Sequence, residues 1–196
     1  MANATGAFGL RPVRHLNGSP YNGGTQKCYI SSVYAVALFV GDPVLLTPTL
    51  TEKDPTGRYP TINKAANGIV RGVIVSFDPL QSDLTKVYNP ASTTRYANVC
   101  MDPYVIYQIR DDGAGTPGVV YPGQNAEMTH GSGSTTTGLS GTILDTSTPT
   151  TTVTFPLHII GLAEQEDNAL DDYAVWEVLL NTCELAAGRF LGITAA

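Results

Sequence analysis

The sequence predicts an all-β protein, built as an antiparallel β-barrel or sandwich with little helix. Segment 129–154 contains eleven Thr among its 26 residues, and no helix of normal length can be drawn through it. Thr is stiff at χ1 and favours extended backbone, whereas Gly, Ser and Pro break such runs into turns. Elsewhere, short apolar or β-branched segments alternate with turn signals about every 8–12 residues, the spacing typical of sandwiches and barrels.

In the first half of the chain, the clearest predicted strand is 69–77, which is β-branched and bounded by Asn67-Gly68 and Asp78-Pro79. The apolar stretch 29–40 fits either a strand or a short helix, because periodicity does not separate the two over so short a run. Residues 47–60 are rich in Pro and are predicted to form a loop. Further strands are predicted in this half at 44–46, 95–101 and 105–110.

In the second half, the strongest predicted strand is 174–181, in which Trp176 lies among alternating apolar residues. The only candidate helix is a turn near 184–190. Further strands are predicted at 141–145, 150–155 and 157–162.

The chain divides into an extended N-terminal arm, residues 1–27, and a β-rich body domain, residues 28–196. The first 27 residues contain Gly, Asn and two Pro, with few clustered apolar side chains. Such a segment cannot close a core of its own and needs a surface to lie on. We therefore expect Pro12 and Pro20 to limit the freedom of an arm that lies on a partner.

Composition favours a component of an assembly. Hydrophobic residues make up 42% of the 196 residues, which suffices for a core, but charged residues make up only 14%. Soluble globular proteins average about 25% charged residues. A surface so poor in charge is often buried against other subunits, although a Thr-rich monomeric β-protein would have the same composition.

The charge is divided unevenly along the chain. The net charge of −6 argues against a general nucleic-acid binder. Residues 1–30 carry three basic residues and no acid, whereas from Asp145 onward there are eight acids and one base. A basic arm can lie on an acidic partner, including the C-terminal part of a neighbouring subunit, unless both ends are simply solvated.

Three cysteines, Cys28, Cys100 and Cys183, lie far apart and form no CxxC pair. An odd number without ligand spacing predicts unpaired, buried thiols in a reducing compartment. The sequence contains no apolar run long enough to cross a membrane, and its start lacks the order of a secretory signal.

No catalytic or cofactor motif is found, so the sequence predicts neither an enzyme nor a cofactor. His15, His130 and His158 lack metal-ligand spacing, and the Gly-rich segment after Asp112 is not followed by a helix that would hold a phosphate. Acidic loop 164–172 is rich in oxygen ligands but lacks the EF-hand pattern. Calcium binding by this loop therefore remains an open alternative.

Several stretches together resemble small capsid-associated structural proteins of tailed bacteriophages, of the decoration or cement type. The resemblance spans nearly the whole chain, but its motifs are turns and strands and carry no active site. The stretches are HLNGSPYNGG at 15–24, LFVGDPV at 38–44, GIVRGVIVSFDP at 68–79, STTTGLSG at 134–141, and 157–168 followed by VWEV at 175–178.

This resemblance implies a β-rich homotrimer on the capsid exterior of a virion assembled in the host cytoplasm. It implies binding to the major capsid protein and no contact with nucleic acid or membrane. Within the arm, Arg11 and Arg14 are expected to pair with capsid carboxylates, and Tyr21 is expected to join the same contact. No catalytic, cofactor-binding or metal-binding residue is expected.

Two other functions remain open at this point. A head–tail connector or tail protein would share the Thr- and Gly-rich composition and differ in copy number. A carbohydrate-binding or hydrolytic β-domain would need a groove with exposed aromatic side chains. The ten Tyr residues and Trp176 supply aromatic rings, although strand positions such as Tyr107 fit a core equally well.

Overall fold

The structure, a computed structural model, describes residues 3–47, 49–114 and 118–186. These residues form twelve β-strands and one 3-10 turn at Leu50–Glu52, and the described part of the chain contains no α-helix. The predicted all-β class is confirmed. The strands are β1 (Arg11–His15), β2 (Gln26–Ile30), β3 (Pro43–Leu46), β4 (Ile62–Lys64), β5 (Gly72–Phe77), β6 (Arg95–Cys100), β7 (Val105–Arg110), β8 (Asn125–Ala126), β9 (Met128–Gly131), β10 (Gly141–Leu144), β11 (Leu157–Leu162) and β12 (Val175–Leu180).

The strands form two five-stranded sheets and one hairpin, and every strand pair is antiparallel. The first sheet has the order β1-β7-β12-β11-β8 and the second has the order β2-β6-β5-β3-β4. Strands β9 and β10 form the separate hairpin. Both large sheets are open, and they share a core, as in a sandwich.

The core lies between the two large sheets and continues on the far face of the second one. Tyr107 and Trp176 of the first sheet cluster with Val73 and Cys100 of the second. Ile74, the neighbour of Val73 on β5, belongs to a different cluster on the opposite face. Because successive strand residues point to opposite faces, the second sheet is apolar on both sides. No helix in the described ranges is long and apolar enough to cross a membrane.

The extended N-terminal arm is not confirmed. Residues 11–15 form β1, the edge strand of the first sheet, and residues 19–21 fold back on it. The His15 amide donates to the Ser19 carbonyl at 2.8 Å, and the Tyr21 amide donates to the Val13 carbonyl at 3.1 Å. The reason is that β7 offers a free row of backbone donors and acceptors, which the segment satisfies. The predicted boundary at residue 27 falls inside β2.

A pair of glycines holds the start of this segment against the body. Gly9 and Gly41 both have positive φ, 73° and 90°. A Cβ on Gly9 would lie 2.6 Å from the Gly41 carbonyl oxygen, so only glycine permits this approach. The next residue, Leu10, is 1% exposed and donates its amide to that same carbonyl at 2.9 Å.

Several predicted elements differ in extent from the observed ones. Predicted strand 150–155 is reduced to one bridge between Thr150 and Asn125. Within the ambiguous stretch 29–40, strand β2 ends at Ile30 and the chain then turns. Of the candidate helix at 184–190, residues 184–186 are not helical, and the remainder lies outside the described residues. The sequence did not predict β1, β4, β8 or β9.

Candidate functional site: an arginine face on the first sheet

The outer face of the first sheet brings the N-terminal arginines next to β7 and β12. Arg11 is the register partner of Gln108, which in turn is the partner of Glu177. The register shifts between Pro12 and Arg14, where β1 contains a bulge. Residues three apart on a regular strand point to opposite faces, and the extra residue places Arg11 and Arg14 on the same one.

The Phe8 ring contacts two guanidinium groups. The guanidinium carbon of Arg11 is 5.0 Å from the centre of the Phe8 ring, and that of Arg110 is 5.4 Å away. Both distances are within the range of a cation–π contact. Arg11 also donates to the Gln108 side-chain oxygen at 2.5 Å. We call Phe8, Arg11, Gln108 and Arg110 the arginine face.

The two arginines of this face hydrogen-bond to neutral groups, and the bond of Arg110 goes to the Ala4 carbonyl. Within the described residues, neither Arg11 nor Arg110 forms an ion pair. The Nε atom of Arg110 is buried and has no hydrogen-bond partner. Burial lowers the pKa of Arg110, Asp111 opposes that change, and the nearby Arg11 lowers the pKa further. The two guanidinium groups thus repel each other, and a bound anion would reduce that repulsion.

Arg14, by contrast, is already paired. Its guanidinium is 2.6 Å from Glu177 Oε2, and the side chains are 37% and 17% exposed. The sequence predicted that a basic N-terminal segment can lie on an acidic partner, including the C-terminal part of a neighbouring subunit. The structure makes that contact within a single chain, so Arg14 is less available to a partner than Arg11.

Tyr21 is held by its own segment. Its hydroxyl donates to the Gly24 carbonyl at 3.0 Å, and its ring centre is 6.2 Å from that of His15. The ring also lines a cavity of about 310 Å³ together with Phe8 and Arg11. Burial, followed by the influence of Cys100, raises the pKa of Tyr21. The three predicted contact residues therefore share one neighbourhood and play different roles in it.

Phe8, Gln108 and Arg110 were not predicted as site residues. For the two β7 residues a signal was present, because VIYQIR alternates between apolar and polar positions. Tyr107 and Ile109 enter the core, which leaves Gln108 and Arg110 on the other face. Nothing in the sequence indicated that β1 pairs with β7, and this pairing is what brings Arg11 to them.

Carbonyl oxygens of the acidic loop 164–172 accept hydrogen bonds from an asparagine side chain. The Asn3 amide donates to the carbonyls of Ala169, Asp171 and Asp172 at 3.0, 3.3 and 2.9 Å. These oxygens converge on an NH₂ group as they would on a cation. In the described part of the chain, no group of three or more His, Cys, Asp or Glu side chains is arranged to hold a metal ion.

The most buried charge of the described residues is Asp42, which is 0% exposed. Its Oδ1 accepts from Ser140 Oγ at 2.6 Å and pairs with Lys64 Nζ at 2.8 Å. Its Oδ2 accepts from the Phe39 amide at 2.8 Å. We call Asp42, Lys64, Ser140 and the Phe39 amide the Asp42 cluster. It joins the loop before β3, strand β4 and the β9–β10 hairpin.

The cysteines are unpaired and buried, as the sequence predicted. Burial raises the pKa of the Cys28 thiol to about 12, so the thiol stays protonated at neutral pH. Cys100 accepts from the Tyr107 hydroxyl at 3.2 Å inside the core. These contacts indicate packing roles.

Comparison of the chain with protein-family models, with curated proteins and with solved structures finds no match. The arginine face is then the feature on which a functional proposal rests. It combines three properties: a sheet beneath it, two guanidinium groups without an ion pair among the described residues, and an aromatic ring in contact with both.

Proposed function

We propose that this chain is a structural virion protein that binds the outside of an assembled phage capsid and bridges major capsid protein subunits. The observation that supports this most is the arginine face, where Arg11 and Arg110 lack an ionic partner within the described chain. Arginine pairs in a bidentate manner with carboxylates, and such charge-assisted bonds are among the strongest polar contacts.

The remaining parts of the proposal follow from composition and resemblance. The protein acts as a homotrimer, is assembled in the host cytoplasm and is not an enzyme. It contacts neither nucleic acid nor membrane. A ligand that binds the assembled shell in preference to free subunits stabilises the shell by mass action. Few charges on the chain, 14% of residues, suit a surface that is covered in the particle.

Co-sedimentation with capsids that lack the protein tests the proposal. The capsids are those of the phage that encodes the chain, and binding is measured as free and pelleted protein. We expect Arg11→Glu to weaken binding by about tenfold or more, because the change replaces an attraction with a repulsion. The matched control is Arg58→Glu, which changes the net charge equally at an exposed site outside the arginine face.

Two results would overturn the proposal. One is failure of the unmodified chain to pellet with capsids, and the other is equal binding by Arg11→Glu and Arg58→Glu. Circular dichroism of both variants checks that the fold is intact. Quantitative mass spectrometry of virions adds a second test: hundreds of copies are expected, whereas a dozen or fewer would indicate a connector or tail protein.

A further inference from the structure

A second candidate site lies on the other large sheet, away from the arginine face. Strands β2 and β6 and the loop after β5 enclose a groove of about 740 Å³. This volume is in the range of small-molecule sites, roughly 300–1,000 Å³. The residues that line it include Lys27, Asp78, Pro79, Gln81, Arg95 and Tyr96.

A donor and an acceptor are fixed side by side in this groove. Lys27 Nζ is 2.6 Å from Asp78 Oδ2, and the two side chains are 39% and 30% exposed. The Asn98 amide lies 3.4 Å from the other Asp78 oxygen and 3.1 Å from Ser76 Oγ. We call Lys27, Asp78, Asn98 and Ser76 the polar row, in which donors and acceptors alternate. Their positions are set by the register of β2, β5 and β6.

An aromatic cluster forms the wall beside this row. Tyr96 packs edge-to-face against Tyr29 and Tyr59, with ring centres 5.8 and 5.3 Å apart. The Lys27 ammonium lies 5.3 Å from the Tyr96 ring centre. Tyr96 is the ring of this cluster that lines the groove, and the two other rings hold it in place beside Pro79.

The groove is close to neutral for any ligand that enters it. Arg95 lines it but is only 7% exposed, and its three nitrogens donate to backbone carbonyls. Those carbonyls belong to Asp78, Tyr88 and Lys86, so Arg95 ties the loop to β6 and offers little to a ligand. The charge of Lys27 is matched by Asp78. A phosphate or another strong anion therefore has no free cation to bind here.

We propose that this groove binds a neutral saccharide. Sugar hydroxyl groups donate and accept hydrogen bonds at once, which the Lys27–Asp78 pair and Gln81 can match. The C–H face of a pyranose ring packs on apolar and aromatic surface such as Tyr96 and Pro79. The sequence left carbohydrate binding open as an alternative function, and here it is an additional capacity. It does not depend on capsid binding.

Isothermal titration calorimetry of the full chain tests the proposal. The probes are neutral hexasaccharides of glucose, galactose, mannose and N-acetylglucosamine, each titrated to 10 mM. We expect saturable binding of at least one of them. Tyr96→Ala and Asp78→Asn should each weaken that binding by about tenfold or more. The matched control is Tyr104→Ala, which removes a tyrosine that is 56% exposed and outside the groove.

Three outcomes would overturn the proposal: no saturable binding of any probe, unchanged affinity in both groove variants, or an equal loss in Tyr104→Ala. Asp78→Asn keeps the size of the side chain, so it gives a result even where Tyr96→Ala fails to fold. Stronger binding of a sialylated hexasaccharide than of its neutral analogue would also contradict it, because the groove would then select anions. Retention of capsid binding by Asp78→Asn separates this site from the arginine face.

Discussion

The Asp42 cluster and the arginine face differ in how their charged groups are paired. Asp42 is 0% exposed, and both of its oxygens have partners supplied by the chain. Arg110 also has a buried nitrogen, but its Nε has no hydrogen-bond partner and its guanidinium has no ion pair among the described residues. Both oxygens of Asp42 are thus paired within the molecule, whereas Arg110 hydrogen-bonds to the Ala4 carbonyl and leaves its Nε unpaired.

This difference in pairing predicts a difference in stability. A buried charge whose bonds are all made specifies how elements pack, and removing one partner is costly. A partly buried charge with an unpaired donor lowers stability, a cost that proteins accept at functional sites. The two sites should therefore respond to mutation with opposite signs.

The largest expected effect is that of Asp42→Ala. The variant leaves Lys64 without its counter-ion and the Phe39 amide and Ser140 hydroxyl without their acceptor. We expect the free energy of unfolding to fall by about 3–5 kcal/mol, measured by urea denaturation. The control is Asp83→Ala, whose ion pair with Lys86 is 3.6 Å long between side chains that are each 39% exposed.

The control variant should change stability by less than about 1 kcal/mol, because exposed pairs are screened by solvent. A similar loss in Asp42→Ala and Asp83→Ala would remove the distinction between a buried cluster and a surface pair. An intermediate loss of free energy of unfolding in Asp42→Asn would separate the contribution of the charge from that of the hydrogen bonds.

The second prediction is a gain of stability in Arg110→Met. Methionine keeps much of the length of the side chain and removes the buried Nε, which has no acceptor, at the loss of the hydrogen bond from Arg110 to the Ala4 carbonyl. We expect the free energy of unfolding to rise by about 1 kcal/mol, while capsid binding weakens. Arg58→Met, at an exposed position, should change neither quantity. A loss of stability in Arg110→Met would mean that the guanidinium serves the fold.

The fold class could be predicted from sequence because strand periodicity and turn residues act locally. The strands at 105–110 and 157–162 combine apolar alternation with flanking turn signals, and both are observed with these bounds. Strand β1 was not predicted because RPVRH has two Arg and a Pro and no alternation. Its extended form comes from pairing with β7, which is a tertiary effect that short-range patterns do not contain.

The candidate site could be predicted only in part, for the same reason. Arg11 and Arg14 were identified from the charge imbalance between the ends of the chain. Their different states depend on a β-bulge and on the register of β1, β7 and β12, which place Glu177 beside Arg14 and Phe8 beside Arg11. Neither the bulge nor the register has a sequence signal here.

A third, smaller effect is expected for Arg14→Ala. The pair with Glu177 is partly exposed, so its contribution to stability should be about 0.2–1 kcal/mol and should shrink as salt is added. A double-mutant cycle with Glu177→Ala measures the coupling directly. A coupling above about 2 kcal/mol, or one insensitive to salt, would show that the Arg14–Glu177 pair behaves as a buried pair, like those of the Asp42 cluster.

The smallest effect is a dependence of stability on pH through His130, which borders the Asp42 cluster. Its Nδ1 lies 3.2 Å from Thr142 Oγ1, and its Nε2 is buried without a hydrogen-bond partner. Burial lowers the pKa of His130 below its ordinary value of 6.5; the charge of Lys64 lowers it further, and Asp42 opposes the change. Burial also lowers the pKa of His158.

In the unfolded chain these histidines regain their ordinary pKa and bind protons first as the pH falls. The free energy of unfolding should therefore decrease as the pH drops through and below 6.5, and the decrease should end once the folded protein is also protonated. Urea denaturation between pH 7 and 5 measures the slope. His130→Gln should make it shallower, and adding His158→Gln should flatten it further. An unchanged slope in the double variant would show that these imidazoles bind protons equally in the folded and unfolded states, and the unsatisfied Nε2 would then have no energetic consequence.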